Sequence, residues 1–323
     1  MFSCSANSAR GVTSMETYTI VRVCGLLQHL LKKTDYEVLL EEDGIWRFPA
    51  YSHISPDDPL EDVLAKIDGV MVDRFDFLSK IKSRYTRLIT AFADRLELEN
   101  LKIKLREIYG KKERYEIYIP YSHFIPIEDL LKVKKEEEMW RLVLETPYWI
   151  SPQEPPRKDL LSWELYLDSK YYLYLKESLP SLERRTLGEI VDLESFIAAI
   201  YWMVVVGEED IIDLIARDEL TGLKPHFVKS EVSLSGYIGS LGLEHREAVR
   251  LIRENEISLL LKKLREKFLE VLSNKAEEEK FSAALIYYYL TLAKAERDNL
   301  HRITIGKKLG LPPEKIRRVL LFG

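Results

Sequence analysis

The chain has 323 residues, 46% of them apolar and 31% charged, which is enough for a large core in one or two soluble domains. Scarce Gly (14) and Pro (13) favour helix. A net charge of −5 with both signs interspersed argues against a dedicated nucleic-acid binder, whose phosphate partners call for a basic surface.

Residues 1–14 are small and polar, with no apolar stretch to act as a signal peptide. Met15 offers an alternative start, so this segment is expected to be a disordered tail. From Glu16 to Lys33, Ile20, Val23, Leu27, Leu30 and Leu31 recur at helical spacing. Asp58 followed by Pro59 reads as a helix start, an oxygen acceptor at the N-cap and a proline where no amide bond is lost. No further proline occurs before Tyr109, so several helices or one long bent one must fill that interval. Leu98, Leu101, Leu105 and Ile108 make an apolar seam there, and Gly110 suits a left-handed cap. Residues 115–126 look like a strand, but their prolines make a connecting segment the better reading. A helix is expected over Ile127–Glu145 and a linker over 146–158. Beyond it, Leu160–Ser178, Leu182–Val206, Glu208–Glu219, Glu244–Ser273 and Ala276–Leu309 read as helix, with a loop at 233–242. Strand alternation is nearly absent, and the fold class is all-α.

The longest uncharged apolar run, Phe196–Val206, falls well short of the ~20 residues that span a bilayer. Cys4 and Cys24 are too few for a disulfide framework and lack metal-ligand spacing, so a reducing, cytosolic compartment is the default. Gly236, Gly239 and Gly242 lack the preceding strand and the Lys-Ser or Lys-Thr pair of a phosphate loop. The six histidines are dispersed, and no serine or cysteine has the surroundings of an activated nucleophile. The expectation is therefore a chain with no catalytic, cofactor-binding or metal residue. The tyrosine runs at 170–177 and 285–296 admit two readings, a stacking platform for bases or packing at the edge of a core, and packing is preferred.

One phrase is said more than once. Residues 97–112 read "ELENLKIKLREIYGKK" and residues 295–321 read "AERDNLHRITIGKKLGLPPEKIRRVLL". In both, a Glu stands three places before an Asn-Leu pair, Glu97 before Asn100 and Glu296 before Asn299. Between them "EIVDLESFIAAIYW" at 189–202 aligns Asp192 with Glu97, Glu194 with Glu99 and Ser195 with the Asn. The Asn, Ser and Asn positions lie 95 and 104 residues apart, each close to a third of the chain. On a helix, residues three apart share a face, so each Glu-Asn couple sits beside an apolar seam. A buried Asn must be hydrogen-bonded, and a repeated one reads as a structural device fixing helix register.

An all-α chain of this length with three such segments resembles the C-type connector of the archaeal and bacterial A/V-type rotary ATPases, the family that includes the d-type connector of eukaryotic vacuolar ATPases. The match is carried by Leu98–Arg106, by Ala293–Leu320, and by Tyr18 and Arg22 of the opening "YTIVRV". In the middle copy Ser195 and Tyr201 replace the expected Asn and Arg. The resemblance implies one domain over 15–323 built of three three-helix segments, roughly 15–112, 113–207 and 208–323, in a funnel with pseudo-threefold symmetry. It further implies a non-catalytic, peripheral component on the cytoplasmic side of the membrane, monomeric within a hetero-oligomeric complex. Its implied partners are central shaft proteins of the D and F type and a rotor ring of proteolipids, with no nucleic acid, cofactor or small-molecule substrate. Other readings of the residues are a helical adaptor that binds a partner helix, or an RNA-associated helical protein.

Overall fold

A computed structural model describes residues 14–42, 44–149, 159–202, 246–247, 250–251 and 254–322. Among these the regular structure is helical, with no strand. The helices are α1 (Ser14–Leu27), α2 (Lys33–Glu41), α3 (Leu60–Ser79), α4 (Thr86–Ala93), α5 (Arg95–Ile108) and α6 (Ile127–Lys132). They continue as α7 (Glu136–Val143), α8 (Leu160–Glu177), α9 (Arg184–Tyr201), α10 (Ile257–Glu278), α11 (Ala283–Lys308) and α12 (Pro313–Arg317). Residues 1–13 of the expected tail, most of the linker, the helix at 208–219, parts of 244–253 and the glycine loop at 233–242 lie outside the described residues. The helix expected over 244–273 is interrupted by a turn at 254–256, where Asn255 takes φ +56°, and α10 starts at Ile257.

Several boundaries differ from the sequence reading for local reasons. The helix expected to run from Glu16 to Lys33 stops at Leu27, where Gln28 and His29 turn back onto the carbonyls of Gly25 and Leu26. Asp58 does not cap α3. Its carboxylate takes the Ser55 N–H at 2.7 Å and Lys66 Nζ at 2.5 Å, and the helix begins one residue after Pro59. The expected 127–145 helix is two short ones, because Val133 turns extended and Glu138 accepts the Lys134 N–H. The last four residues before the undescribed part of the linker are packed, with Tyr148 fully buried. Cys24 is disulfide-bonded, which departs from the expectation of two reduced thiols.

The architecture turns on α11, which packs against α1, α3, α4, α10 and α12. Its first half, from Ala283 to Leu290 with Ala293, is buried on all sides, as befits a helix apolar around its circumference. Tyr287 and Tyr289 are inside it, and Tyr171 and Tyr172 of α8 are buried as well. The tyrosine runs are thus core, and no stacking platform faces solvent there. The second half of α11 is polar, except where Leu300 and Ile303 join Tyr36, Leu39, Ile316 and Leu320 in a smaller core beneath α2 and α12. Gly306 permits that approach, since a Cβ there would stand 2.8 Å from Ile316 Cδ1. Burying one leucine-sized side chain contributes about 1.5–3 kcal/mol, so the larger core supplies most of the stability.

The two echoing helices end in the same way. Gly110 (φ +66°) and Gly310 (φ +68°) take left-handed backbone. Lys111 N–H reaches the Arg106 carbonyl and Leu311 N–H the Gly306 carbonyl, while each glycine bonds three residues back. These are matching Schellman caps on α5 and α11.

Candidate functional site

The repeated Glu and Asn side chains are buried; Glu97, Asn100 and Asn299 face irregular backbone, whereas Glu296 also faces side chains of α3 and of Tyr51. Asn100 Oδ1 accepts the Ile119 N–H at 2.8 Å, and its Nδ2 donates to the Ile119 carbonyl at 2.9 Å and the Tyr121 carbonyl at 3.2 Å. One turn back, Glu97 Oε1 collects the N–H groups of His123, Phe124 and Ile125 at 2.8, 2.9 and 2.9 Å. The couple therefore clamps the non-helical 119–125 segment against α5. Burial pushes the Glu97 carboxyl up, against the pull of the three N–H groups.

Asn299 repeats the device on α11. Its Oδ1 accepts the Leu321 N–H at 2.9 Å and its Nδ2 donates to the Leu321 carbonyl at 2.5 Å, pinning the segment after α12. In each clamp one amide serves both the N–H and the C=O of a single residue, 19 positions on for Asn100 and 22 for Asn299. Glu296 differs from Glu97 in its partners. It receives the Leu31 N–H at 2.5 Å, the Tyr51 hydroxyl at 2.6 Å and Arg74 Nη1 at 2.5 Å, tying the α1–α2 corner and α3 to α11. Although burial opposes it, Glu296 holds the Arg74 guanidinium above its ordinary value. In the middle copy Ser195 only bonds back to the Asp192 carbonyl within α9, and Asp192 pairs with Lys176.

The position next to the clamps, Glu99, Glu194 and Asp298, is acidic in all three copies. All three carboxylates line one cavity of about 260 Å³ enclosed by α5, α8, α9, α10 and α11. Four carboxylates and five cations line it altogether. Arg95 Nη1 lies 2.6 Å from Glu194, and its guanidinium stacks 5.0 Å from the Tyr171 ring centre. Lys102 pairs with Asp168 at 2.5 Å. Lys294 bridges Glu99 at 3.2 Å and Asp298 at 3.0 Å, and Arg297 bridges the same two at 3.2 and 3.1 Å. Arg297 also reaches back to Asp68 of α3 at 2.6 Å, where His301 Nε2 lies 2.8 Å away. Burial would push Asp298 up, but Lys294 and Arg297 hold it far below the usual carboxylate range. Asp68 is likewise held down by His301 and Arg297 against its burial.

Sequence reasoning missed Arg74, Asp68 and Asp94. Asp94, fully buried at the α4–α5 corner, accepts the hydroxyls of Tyr121 at 2.7 Å and Tyr174 at 2.8 Å and faces His123 Nδ1 at 3.0 Å. Its signal was its place three residues before Glu97, a second acid on the same helical face. Among the described residues no group of His, Cys, Asp or Glu has the arrangement of a metal site, and no helix is long and apolar enough to cross a membrane. Chemically, the arrangement suits holding segments and accepting a charged partner. No family model and no curated protein matches the chain.

Proposed function

We propose that this chain is a non-catalytic connector of a rotary ATPase, joining a central shaft to a membrane rotor ring as a peripheral component. In this reading the three echoing helices surround a centre with pseudo-threefold symmetry, and the shaft tip docks on the open end of that body. The supporting observation is that Glu99, Glu194 and Asp298, the same position of three sequence copies, line one cavity between α5, α9 and α11. Paired charges with apolar walls such as Leu98 and Phe268 are the mixed surface expected where two separately soluble partners meet. A part that passes on torque requires no nucleophile or cofactor of its own. Mixing the purified chain with solubilised rotor ring and shaft proteins, and weighing the product by native mass spectrometry, tests the proposal. The expected product carries one copy bridging ring and shaft. Ring and shaft proteins that leave the chain unbound at micromolar concentration would refute it.

A further inference from the structure

The charge pairing inside the cavity is uneven. Its carboxylates are each matched by Arg95, Lys102 or Lys294, which leaves Arg265 of α10 and Arg302 of α11. Among the described residues neither of these two makes an ion pair. Arg302 spends only Nη1, on the Val319 carbonyl at 3.1 Å and on Asn299 Oδ1 at 3.4 Å, so its Nε and Nη2 are uncommitted. Burial holds the Arg302 guanidinium below its ordinary value; Asp298 opposes this, while Arg265 and Arg297 add to it through like charge. The carboxylate that acts on Arg302, Asp298, is already bridged by Lys294 and Arg297, and the fork of donors on each arginine is shaped for an oxyanion.

Both arginines also line a second cavity of about 200 Å³, beside the first, between the end of α9, the start of α10 and the segment after α12. Its polar walls are Tyr201, Ser258, Lys262, Arg265 and Arg302, and among the described residues no carboxylate lines it. Lys262 has a long contact with Glu266 at 3.7 Å and stands 5.8 Å from the Phe322 ring centre. Each of these five side chains can donate a hydrogen bond, and the apolar remainder, including Leu261 and Leu321, supplies a dry floor. The space is below the roughly 300–1,000 Å³ typical of drug-sized ligand sites, so it suits a single oxyanion group better than a nucleotide.

We infer that this second cavity is an anion site for one phosphate-sized oxyanion, gripped by Arg265 and Arg302 with Lys262, Ser258 and Tyr201 completing the donor set. The site is independent of the connector reading, and it departs from the sequence expectation of a chain with no small ligand. Occupancy would neutralise the two arginines and tie α10 to the last turns of α11 through one bound ion.

The test is a melting experiment on the full chain with inorganic phosphate, against sodium chloride at equal ionic strength. At about ten times its Kd, phosphate is expected to raise the melting temperature by roughly 2–3 °C beyond chloride. Arg265→Gln changes an exposed side chain with no internal bond to lose, so the variant should fold and lose at least about tenfold in phosphate affinity. Arg302→Gln should do the same on a less stable background, because it also gives up the Val319 carbonyl. A second arm with glycerol phosphate separates the sources of the group: a similar shift means that a phosphate ester fits, and its absence restricts the site to the free ion. Equal shifts with phosphate and chloride, or undiminished phosphate binding in Arg265→Gln, would overturn the assignment.

Discussion

Replacing Asn100 with Leu keeps the shape of the side chain and removes the hydrogen bonds Asn100 makes, leaving those of Glu97 in place. Ile119 is fully buried, so its N–H, now 2.8 Å from Asn100, would be left without partner or water. Its carbonyl keeps the Tyr121 N–H at 2.7 Å, and the half-buried Tyr121 carbonyl loses its 3.2 Å bond. The stranded N–H costs about 1–3 kcal/mol and the weaker losses at the two carbonyls add to it, which puts the variant roughly 2–4 kcal/mol below the wild type. For a chain of this size, about 2 °C per kcal/mol gives a fall in melting temperature of roughly 4–8 °C. Asn299→Leu removes the same two-point contact from Leu321, but Leu321 is only half-buried and water can reach it. Its cost should be smaller, about 1–2 kcal/mol. Scanning fluorimetry of both variants measures the order, and amide exchange at Ile119 tests the mechanism, since its N–H should open at least roughly 30-fold more readily. If Asn299→Leu costs as much as Asn100→Leu, or both melt with the wild type, the clamp energetics are wrong.

His123 should carry a pH signature. The Asp94 hydrogen bond raises its pKa above the ordinary value, with burial in opposition. Its stabilisation is therefore fully present below about pH 6.5 and is lost as pH rises through the higher folded value. The melting difference between wild type and His123→Gln should shrink over that rise, and a difference constant with pH would contradict the pairing. Glu194→Gln leaves the Arg95 charge buried between Phe92 and Tyr171, and should cost roughly 3–5 kcal/mol. Converting both residues to Met should recover most of that loss in a double-mutant cycle, and additive single losses would deny the coupling.

The helices were legible where apolar residues recur with helical period, as in α5 and α8, because burial against a single core imposes that period. They were less legible where polar side chains broke the pattern. Nothing periodic marks Val133 to Lys135, where a carboxylate three residues on ends one helix and starts another. The Glu-Asn couples stood out by repetition, yet their partners did not. Residues 119–125 and 321 lie in irregular segments, whose pairing depends on where the chain returns in space. Arg74, 222 positions from Glu296, has no local signal at all. The reading of the Asn as a register device between helices differs from what is found, because the amide grips extended backbone. Irregular segments carry the unpaired N–H and C=O groups that most need a partner.

The clamps and the cavity lie on the same two helices, and that placement has a mechanical consequence. Apolar packing is non-directional, so helices held only by it can slide past one another at small cost. On α5, three backbone amides and a bidentate side-chain amide fix one side, while Glu99 faces Lys294 and Arg297 on the other. On α11, Glu296 and Arg297 reach α3 through Arg74 and Asp68, and Asn299 holds the segment after α12. A lateral shift of α11 by one residue would strand Glu296, Arg297 and Asn299 together, and each is a buried or half-buried group whose partners cannot follow. Removing one partner of a buried pair costs about 3–5 kcal/mol, so the Glu296 and Arg297 losses, with about 1–2 kcal/mol for Asn299, would be comparable with the typical stability of a whole domain. Sliding of α11 against α3 and α5 is therefore opposed by discrete polar contacts, and the proposed connector role would require such resistance at the centre of the body.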